Sequence, residues 1–568
     1  MKKRFHPYHW LIVLIGTVGF AQQPQMSGNN YLPGQVIHDP NNPTKMVYNR
    51  DLNKDGQLDP FFLCGPGDPE GFLYRGKRNP NGTRSGDQVQ LVKKMVQYGG
   101  NSAYVVAVRT NGGDATKSHE KDPTTYPDVL HNPWIDQDNH KGLNQDILDQ
   151  WEMWFAKMDN SGILIYFFIY DDGIRIGPKL GWPLDDQGNL HSGEKAFVQG
   201  LVKRFKHHKR LIWCIMEEDQ EIGKDWQAHV SKIAEAIHEA DDHNHIIATH
   251  QHGGNIFYHK GDPYISQFAL QTDKKVVIEK EPYRKWMREA YANTDGMYSV
   301  VMSEDYVHGQ FSIPNNSREE CRQRNWIAAM ASTYVMVLGM DIANTPREWL
   351  NDCKIIQTFF ERTNFNQMIP NDSLATHETE SVLVNPGYDY ILYGANATRT
   401  LGINHLEKGR YTLRWLDCIS GKINEQKHIL LKDGANDWAK PSGFGKEVAL
   451  YLEREDKRPV AGASVVAKRS SSVQKAAQKT VPEVESVSIK VAPDREVSIQ
   501  LAYSDPDGGP GPYTFTIVSK PKHGVLTGVG NDRVYKPNKG FKGVDQFSWK
   551  VNDGSTDSNK AVITINVE

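Results

Sequence analysis

The chain runs to 568 residues, too long for a single hydrophobic core, so three or four domains are expected. With 38% hydrophobic and 24% charged residues it has the balance of an ordinary globular protein, which excludes a fibrous or disordered chain. A net charge of −3 gives no electrostatic reason to expect nucleic acid or an anionic membrane surface as partner.

At the amino terminus Lys2, Lys3 and Arg4 precede an apolar run over 10–20, then Ala21 and the polar residues 22–25. That order is the one of a secretory signal peptide, with cleavage expected after Ala21. The apolar run is too short to span a bilayer and no later one is longer, so a secreted or periplasmic protein without a membrane span is expected. The five cysteines show no C-x-x-C spacing, so neither a zinc site nor a disulfide framework is expected, and a Cys321–Cys353 pairing stays open.

After a polar leader, a βα rhythm begins near residue 61. Phe61-Phe62-Leu63-Cys64 reads as strand one, and 87–98 as a helix with Val89, Val92 and Val96 on one face. Strand two, 103–108, closes on Arg109. Ile147, Leu148, Trp151, Phe155 and Met158 then mark the apolar stripe of the next helix. Strand three, 163–170, ends in Asp171-Asp172. A helix over 194–205 precedes strand four, 211–216, which ends in Glu217-Glu218. Helix 226–240 leads to strand five, 246–249, with His250 and His252 at its end. Strand six, 265–270, ends at Gln271. Helix 281–292 leads to strand seven, 297–303, and Glu304. A helix from Ser317 and a strand from Tyr334 complete eight.

These strands are apolar without alternation, as strands buried on both faces are. Eight of them in unbroken alternation with helices predict an α/β fold, a (β/α)₈ barrel over 22–370. From about residue 375 the rhythm changes to short strands between Gly, Asn and Pro turns, which predicts a β-sandwich over 371–455. Residues 456–481 read as a flexible linker, and 482–568 as a second all-β sandwich.

Barrel enzymes carry their chemistry at the carboxyl ends of the strands. Strands four and seven end on glutamates, and a proton donor facing a nucleophile is what glycoside hydrolysis requires. Trp213-Cys214-Ile215-Met216-Glu217-Glu218 resembles the fourth-strand motif of clan A glycoside hydrolases, in which a tryptophan precedes an Asn-Glu pair. Ser303-Glu304 is similar to the seventh-strand nucleophile motif. The resemblance implies Glu218 as acid/base and Glu304 as nucleophile of a retaining mechanism acting on a polysaccharide or oligosaccharide. Glu217 stands where the clan has asparagine, and a carboxylate cannot donate to a substrate hydroxyl as an amide does. Which of Glu217 and Glu218 faces the cleft stays open, because successive strand residues point to opposite sides.

The stretch Tyr411-Thr412-Leu413-Arg414-Trp415-Leu416-Asp417 resembles the collagen-binding-like sandwich that follows the barrel in secreted bacterial hydrolases. Ser504-Asp505-Pro506-Asp507-Gly508, Pro521-Lys522-His523-Gly524, Tyr535-Lys536-Pro537-Asn538 and Gly543-Val544-Asp545-Gln546-Phe547 are similar to bacterial Ig-like or cadherin-like repeats.

Further candidates for substrate contact are Asp68, Arg109, Asp171, His250, His252, Gln271, Tyr306 and His308, all at strand ends or on the loops beyond them. Arginines at a cleft edge suit sulfate or uronate groups, or else pair with neighbouring acids. No cofactor is expected, and a structural calcium stays open. Asp51-Leu52-Asn53-Lys54-Asp55-Gly56 begins like a calcium loop, but Phe62 occupies its twelfth position, where a glutamate would close the shell. The rival readings are a carbohydrate-binding or adhesive protein with an inactive barrel, and a polysaccharide lyase with His or Tyr as base.

Overall fold

The computed structural model describes residues 30–568 apart from 55, 68–70, 110–130, 172–179, 220–225, 273–279, 306–316, 339–341, 344, 457–480, 485, 502, 505–513, 529–531 and 553–555. The expected leader over 1–21 lies outside these residues, as does nearly all of the expected linker. The described residues fall into two compact units, 30–456 and 481–568.

In the first unit eight strands form one parallel sheet: Cys64–Gly67, Ser102–Val108, Leu164–Tyr170, Leu211–Met216, Ile246–Gln251, Gln267–Thr272, Ser299–Asp305 and Tyr334–Leu338, barrel strands one to eight. They pair in the order one, eight, seven, six, five, four, three, two, every ladder parallel. The helices that follow these strands are α1 (Gln88–Tyr98), α2 (Gln145–Asn160), α3 (Ser192–Phe205), α4 (Trp226–Ala240), α5 (Lys280–Ala292), α6 (Arg318–Met330) and α7 (Arg347–Phe360); residues 252–266, between strands five and six, form turns with no helix, so the expected unbroken alternation fails there. Strands two, three and four are buried at every position, because helices cover one face and the barrel interior the other.

The seam between strands one and two is closed by Asn101. Its Oδ1 accepts the Cys64 N–H at 2.8 Å, its Nδ2 donates to the Phe62 carbonyl at 2.8 Å, and its own N–H donates to the Cys64 carbonyl at 3.2 Å. Strand one starts at Cys64 and not at Phe61: the Phe62 carbonyl and both backbone groups of Cys64 bond Asn101, the Phe62 N–H donates to Glu361 Oε1 at 3.2 Å, and ladder pairing to strand eight begins at Cys64, opposite Val335. Gly65 lets the two chains approach, since a Cβ there would lie 2.7 Å from Ser102 Oγ and 2.9 Å from its backbone nitrogen.

The polar leader contains a hairpin, Val36–Asp39 with Asn42–Tyr48, that plugs the amino-terminal mouth of the barrel. Its Met46 N–H donates to the Tyr334 hydroxyl. Inside the barrel, Tyr166 OH donates to Gln267 Oε1 at 2.9 Å, and Gln267 Nε2 donates to Ser299 Oγ at 2.7 Å, spanning the interior from strand three to strand seven. On α1 the buried stripe is Leu91, Val92 and Met95, whereas Val96 is exposed: the expected face was rotated by about one position. The stripe on α2 is buried as expected, with Trp154 added. All five cysteines are free and buried, Cys321 and Cys353 among them.

After α7 a six-stranded antiparallel sheet (Ile369–Pro370, Ser381–Asn385, Asp389–Gly394, Val448–Arg454, Gly409–Asp417, Ile423–Leu431) faces a three-stranded one (Ala375–His377, Thr400–Leu406, Gly434–Ala439). The period-two geometry of its central strands splits their side chains between two cores. Val382, Leu392, Leu450 and Leu452 face the smaller sheet, while Leu383, Ile391, Tyr393 and Tyr451 join the barrel core. Tyr393 stacks on Trp326 of α6 with centroids 5.1 Å apart, and both Nε and Nη2 of Arg322 donate to the buried Glu447 at 2.9 and 2.8 Å. The barrel and this sandwich therefore share one continuous core.

The second unit has a four-stranded sheet (Val487–Val491, Ala561–Val567, Gly543–Asn552, Thr514–Ser519) and a three-stranded one (Val497–Gln500, Asp532–Pro537, Gly524–Thr527) around Tyr535, Phe547, Trp549, Ile563 and Ile565. Asp545 ties its sequence motifs together. It accepts the N–H groups of Lys522 and His523 at 2.9 and 2.7 Å and the Tyr535 hydroxyl at 2.9 Å.

Candidate active site

At the carboxyl end of the barrel the register is continuous. Val108 pairs with Tyr170 and Tyr170 with Met216, so Arg109, Asp171 and Glu217 follow one another around the rim of strands two, three and four. The Asp171 N–H donates to the Val108 carbonyl and the Glu217 N–H to the Tyr170 carbonyl, each at 3.0 Å, extending the ladder one residue past the strands. Arg109 Nε lies 3.9 Å from Asp171 Oδ2 and both side chains are buried. Arg75 forks onto Asp87 through Nε and Nη2 at 2.7 and 3.0 Å. The arginines are thus engaged by acids, which removes the argument they offered for a sulfated or uronic substrate.

Glu217 and Glu218 differ sharply. Glu217 is buried, whereas Glu218 is partly exposed and adopts a left-handed backbone with φ 42°. A non-glycine residue in that region costs on the order of 1–3 kcal/mol and persists only where its surroundings hold it. The holding contacts lie on both sides. The Glu218 N–H donates to His250 Nδ1 at 3.0 Å. The next residue, Asp219, is fully buried, accepts the Thr249 hydroxyl, and lies 3.1 Å from His259 Nε2 through the same oxygen. Thr249 and His250 are the two residues before the last of strand five, so that strand fastens the end of strand four.

Because His250 Nδ1 accepts, the ring proton sits on Nε2. Burial, followed by the charge of His252, lowers His250 to about 3, so the ring is neutral at pH 7. His252 is exposed. Gln251, between them, anchors the following loop: its Nε2 donates to the Ile256 carbonyl and its Oε1 accepts the Tyr258 N–H at 3.1 Å.

On strand seven the pairing to strand six slips by one residue. Leu270 pairs with Met302 but Gln271 with Glu304, which leaves Ser303 as the extra residue of a bulge, its hydroxyl donating to the Leu270 carbonyl at 3.1 Å. Bulges re-aim strand ends and recur beside active sites. The backbone so places Glu304 level with Gln271, a buried residue whose Oε1 has no hydrogen-bond partner among the described residues. Asp68, Tyr306 and His308 lie outside the described residues, as does the Asp172 side chain.

Several members of this rim were not foreseen. Asp219, Thr249 and His259 form one set; Glu194 forms another, accepting the Tyr170 hydroxyl at 3.1 Å and lying 2.8 Å from His229 Nε2. Burial raises the Glu194 carboxyl. The one signal available for the first set was the acidic run Glu217-Glu218-Asp219. Trp213 is a core residue here, its indole N–H donating to Asp241 Oδ2 at 3.1 Å. In the loop with calcium-like spacing, Asp51 Oδ2 accepts the Gly56 N–H at 3.0 Å and Asp59 Oδ1 the Leu52 N–H at 3.1 Å; Asp55 lies outside the described residues.

The arrangement belongs to a (β/α)₈ barrel with carboxyl groups at strand ends four and seven, and known structures share that fold. A glycoside hydrolase family 5 structure from Bacteroides vulgatus superposes with a TM-score of 0.54 at 15% identity, covering 76% of this chain and 96% of its own. A second structure, titled as a glycoside hydrolase, gives 0.53 at 14% identity, covering 75% of this chain and 99% of its own. Similarity at this identity establishes the fold. Residues 477–566 match the family model described as a bacterial Ig domain. No curated protein matches the sequence.

Proposed function

We propose that this protein is a retaining glycoside hydrolase, exported from the cell, that cleaves a polysaccharide or oligosaccharide. Glu304 attacks the anomeric carbon and Glu218 protonates the leaving oxygen. Water, deprotonated by Glu218, then releases the glycosyl group from Glu304. The observation that carries this reading is the strained backbone of Glu218, held by strand five at the mouth of the barrel. Strain of this kind, fastened from two sides, is what a group held in one catalytic orientation needs. The bulge before Glu304 and the fold shared with glycoside hydrolases support the same conclusion. Export follows from the amino-terminal leader pattern and suits the bacterial Ig domain.

The test is a panel of plant and algal glycans digested with the wild type and with Glu218→Gln and Glu304→Gln, the products read by mass. The expected result is release of saturated products by the wild type alone. Full activity in Glu304→Gln, or unsaturated uronate products from the wild type, would refute the mechanism.

A further inference from the structure

A second cluster with ligand chemistry lies at the opposite end of strand four. Helix α3 ends at Phe205, and the turn into strand four reads Lys206-His207-His208-Lys209-Arg210. His207 Nε2 lies 3.0 Å, and His208 Nε2 3.3 Å, from the same oxygen, Oε1 of Glu152 on α2. The three atoms all fall within 4.8 Å of one another, and the two rings are 4.2 Å apart, 37° from parallel. Tetrahedral zinc with bonds of about 2.0–2.1 Å requires ligand atoms about 3.3 Å apart, and the measured separations match two edges of that tetrahedron.

Two further observations point to a cation. The His208 side chain is only 3% exposed, and its buried Nε2, 3.3 Å from Glu152 Oε1, closes no hydrogen bond of good geometry among the described residues. Its other nitrogen, Nδ1, lies 3.7 Å from Asp159 Oδ2. Asp159 is itself fixed by the N–H groups of Lys209 and Arg210, both at 3.1 Å. A carboxylate behind a histidine is the outer support that orients imidazole ligands on zinc. Two opposing charges lie nearby: Arg204 Nε is 3.9 Å from Glu152 Oε2, with its Nη2 drawn away to Asp149 at 2.7 Å, and Arg210 Nη1 is 3.4 Å from Asp159 Oδ1.

We propose that Glu152, His207 and His208 bind a zinc ion through Oε1, Nε2 and Nε2, with water at the fourth position on the exposed His207 side. Two imidazoles and one carboxylate suit zinc better than the hard oxygen-seeking cations. The ion clips α2 to the turn that starts strand four, about 20 Å along the strand from Glu218, and has a structural role.

The test uses the full chain stripped with a chelator and titrated with zinc chloride, beside His207→Ala, whose exposed site leaves the core intact, and Glu152→Gln, which keeps the shape of the side chain. The wild type should take up one more equivalent of zinc than either variant, give the visible bands of tetrahedral cobalt when loaded with Co²⁺, and melt at a higher temperature with zinc than without. Equal uptake by the wild type and both variants, or no zinc-dependent rise in the wild-type melting temperature, would overturn the site. Glycan cleavage is not part of the readout, so the result stands apart from the hydrolase reading.

Discussion

The backbone N–H of Glu218 donates to Nδ1 of His250 at 3.0 Å, so one neutral imidazole holds the peptide at which strand four turns left-handed. His250→Ala removes that acceptor and lets residue 218 relax. Misplacing a reacting group by about 1 Å costs roughly 100-fold in rate, so kcat should fall by 10- to 100-fold with KM little changed. His250→Asn, whose side-chain oxygen can accept the same N–H, should recover part of the loss. A role in packing alone would instead lower the melting temperature and leave kcat intact.

Glu218 as proton donor matters only when the leaving group needs a proton. Glu218→Gln should slow natural glycosides by about 10²–10⁴-fold, the usual worth of a positioned acid, and affect aryl glycosides with acidic phenol leaving groups far less. Steady-state rates on the two substrate classes measure the contrast. Equal losses on both would place Glu218 outside the proton-transfer step.

Asn101 closes the barrel with a pair of side-chain bonds to the backbone of residues 62–64, in a setting where it is only 4% exposed. Asn101→Ala leaves the Cys64 N–H and the Phe62 carbonyl buried without those partners. The expected cost is about 2–4 kcal/mol, read from the denaturant midpoint.

Lys45 is buried in the hairpin that plugs the barrel, its amine 5.8 and 5.4 Å from the ring centroids of Tyr291 and Phe365 and without a hydrogen bond among the described residues. Burial, then the charge of Arg288, lowers it from its ordinary value of 10.5 to about 7. Between pH 7 and 10.5 the unfolded chain holds a proton that the folded one does not, so stability from this group rises with pH across that window. Lys45→Met should therefore stabilise the protein near neutral pH by an amount on the order of 2–4 kcal/mol, with the advantage shrinking towards pH 10. Thermal melts of both proteins across the window check this; a constant difference would contradict it.

Much of the barrel could be read from residues close together in the chain. Runs such as Leu211–Met216 lack alternation because both faces are buried, and the apolar stripe on α2 announces its core side directly. Val96 escaped this reading because a valine one step off the stripe looks the same in a pattern count. The hairpin at 36–48 escaped it too, since Asn42, Thr44 and Lys45 read as a polar leader until their burial against the barrel floor is known. Arginines at the cleft edge could meet an anionic substrate or pair with neighbouring acids, and folding decided for the acids, Asp87 for Arg75 and Asp171 for Arg109.

The chain by itself determined the alternation of strands and helices, the change to short strands after residue 375, and the carboxylates at the ends of strands four and seven. Each follows from chemistry within a few neighbouring residues. Only the tertiary structure decided that Glu218 and not Glu217 reaches solvent, that Thr249, His250 and His259 fasten it, that Asn101 closes the cylinder, and that His207 and His208 meet Glu152. These depend on strand register and barrel closure, which bring together residues 30 to 56 positions apart, and no local pattern encodes which distant partner arrives.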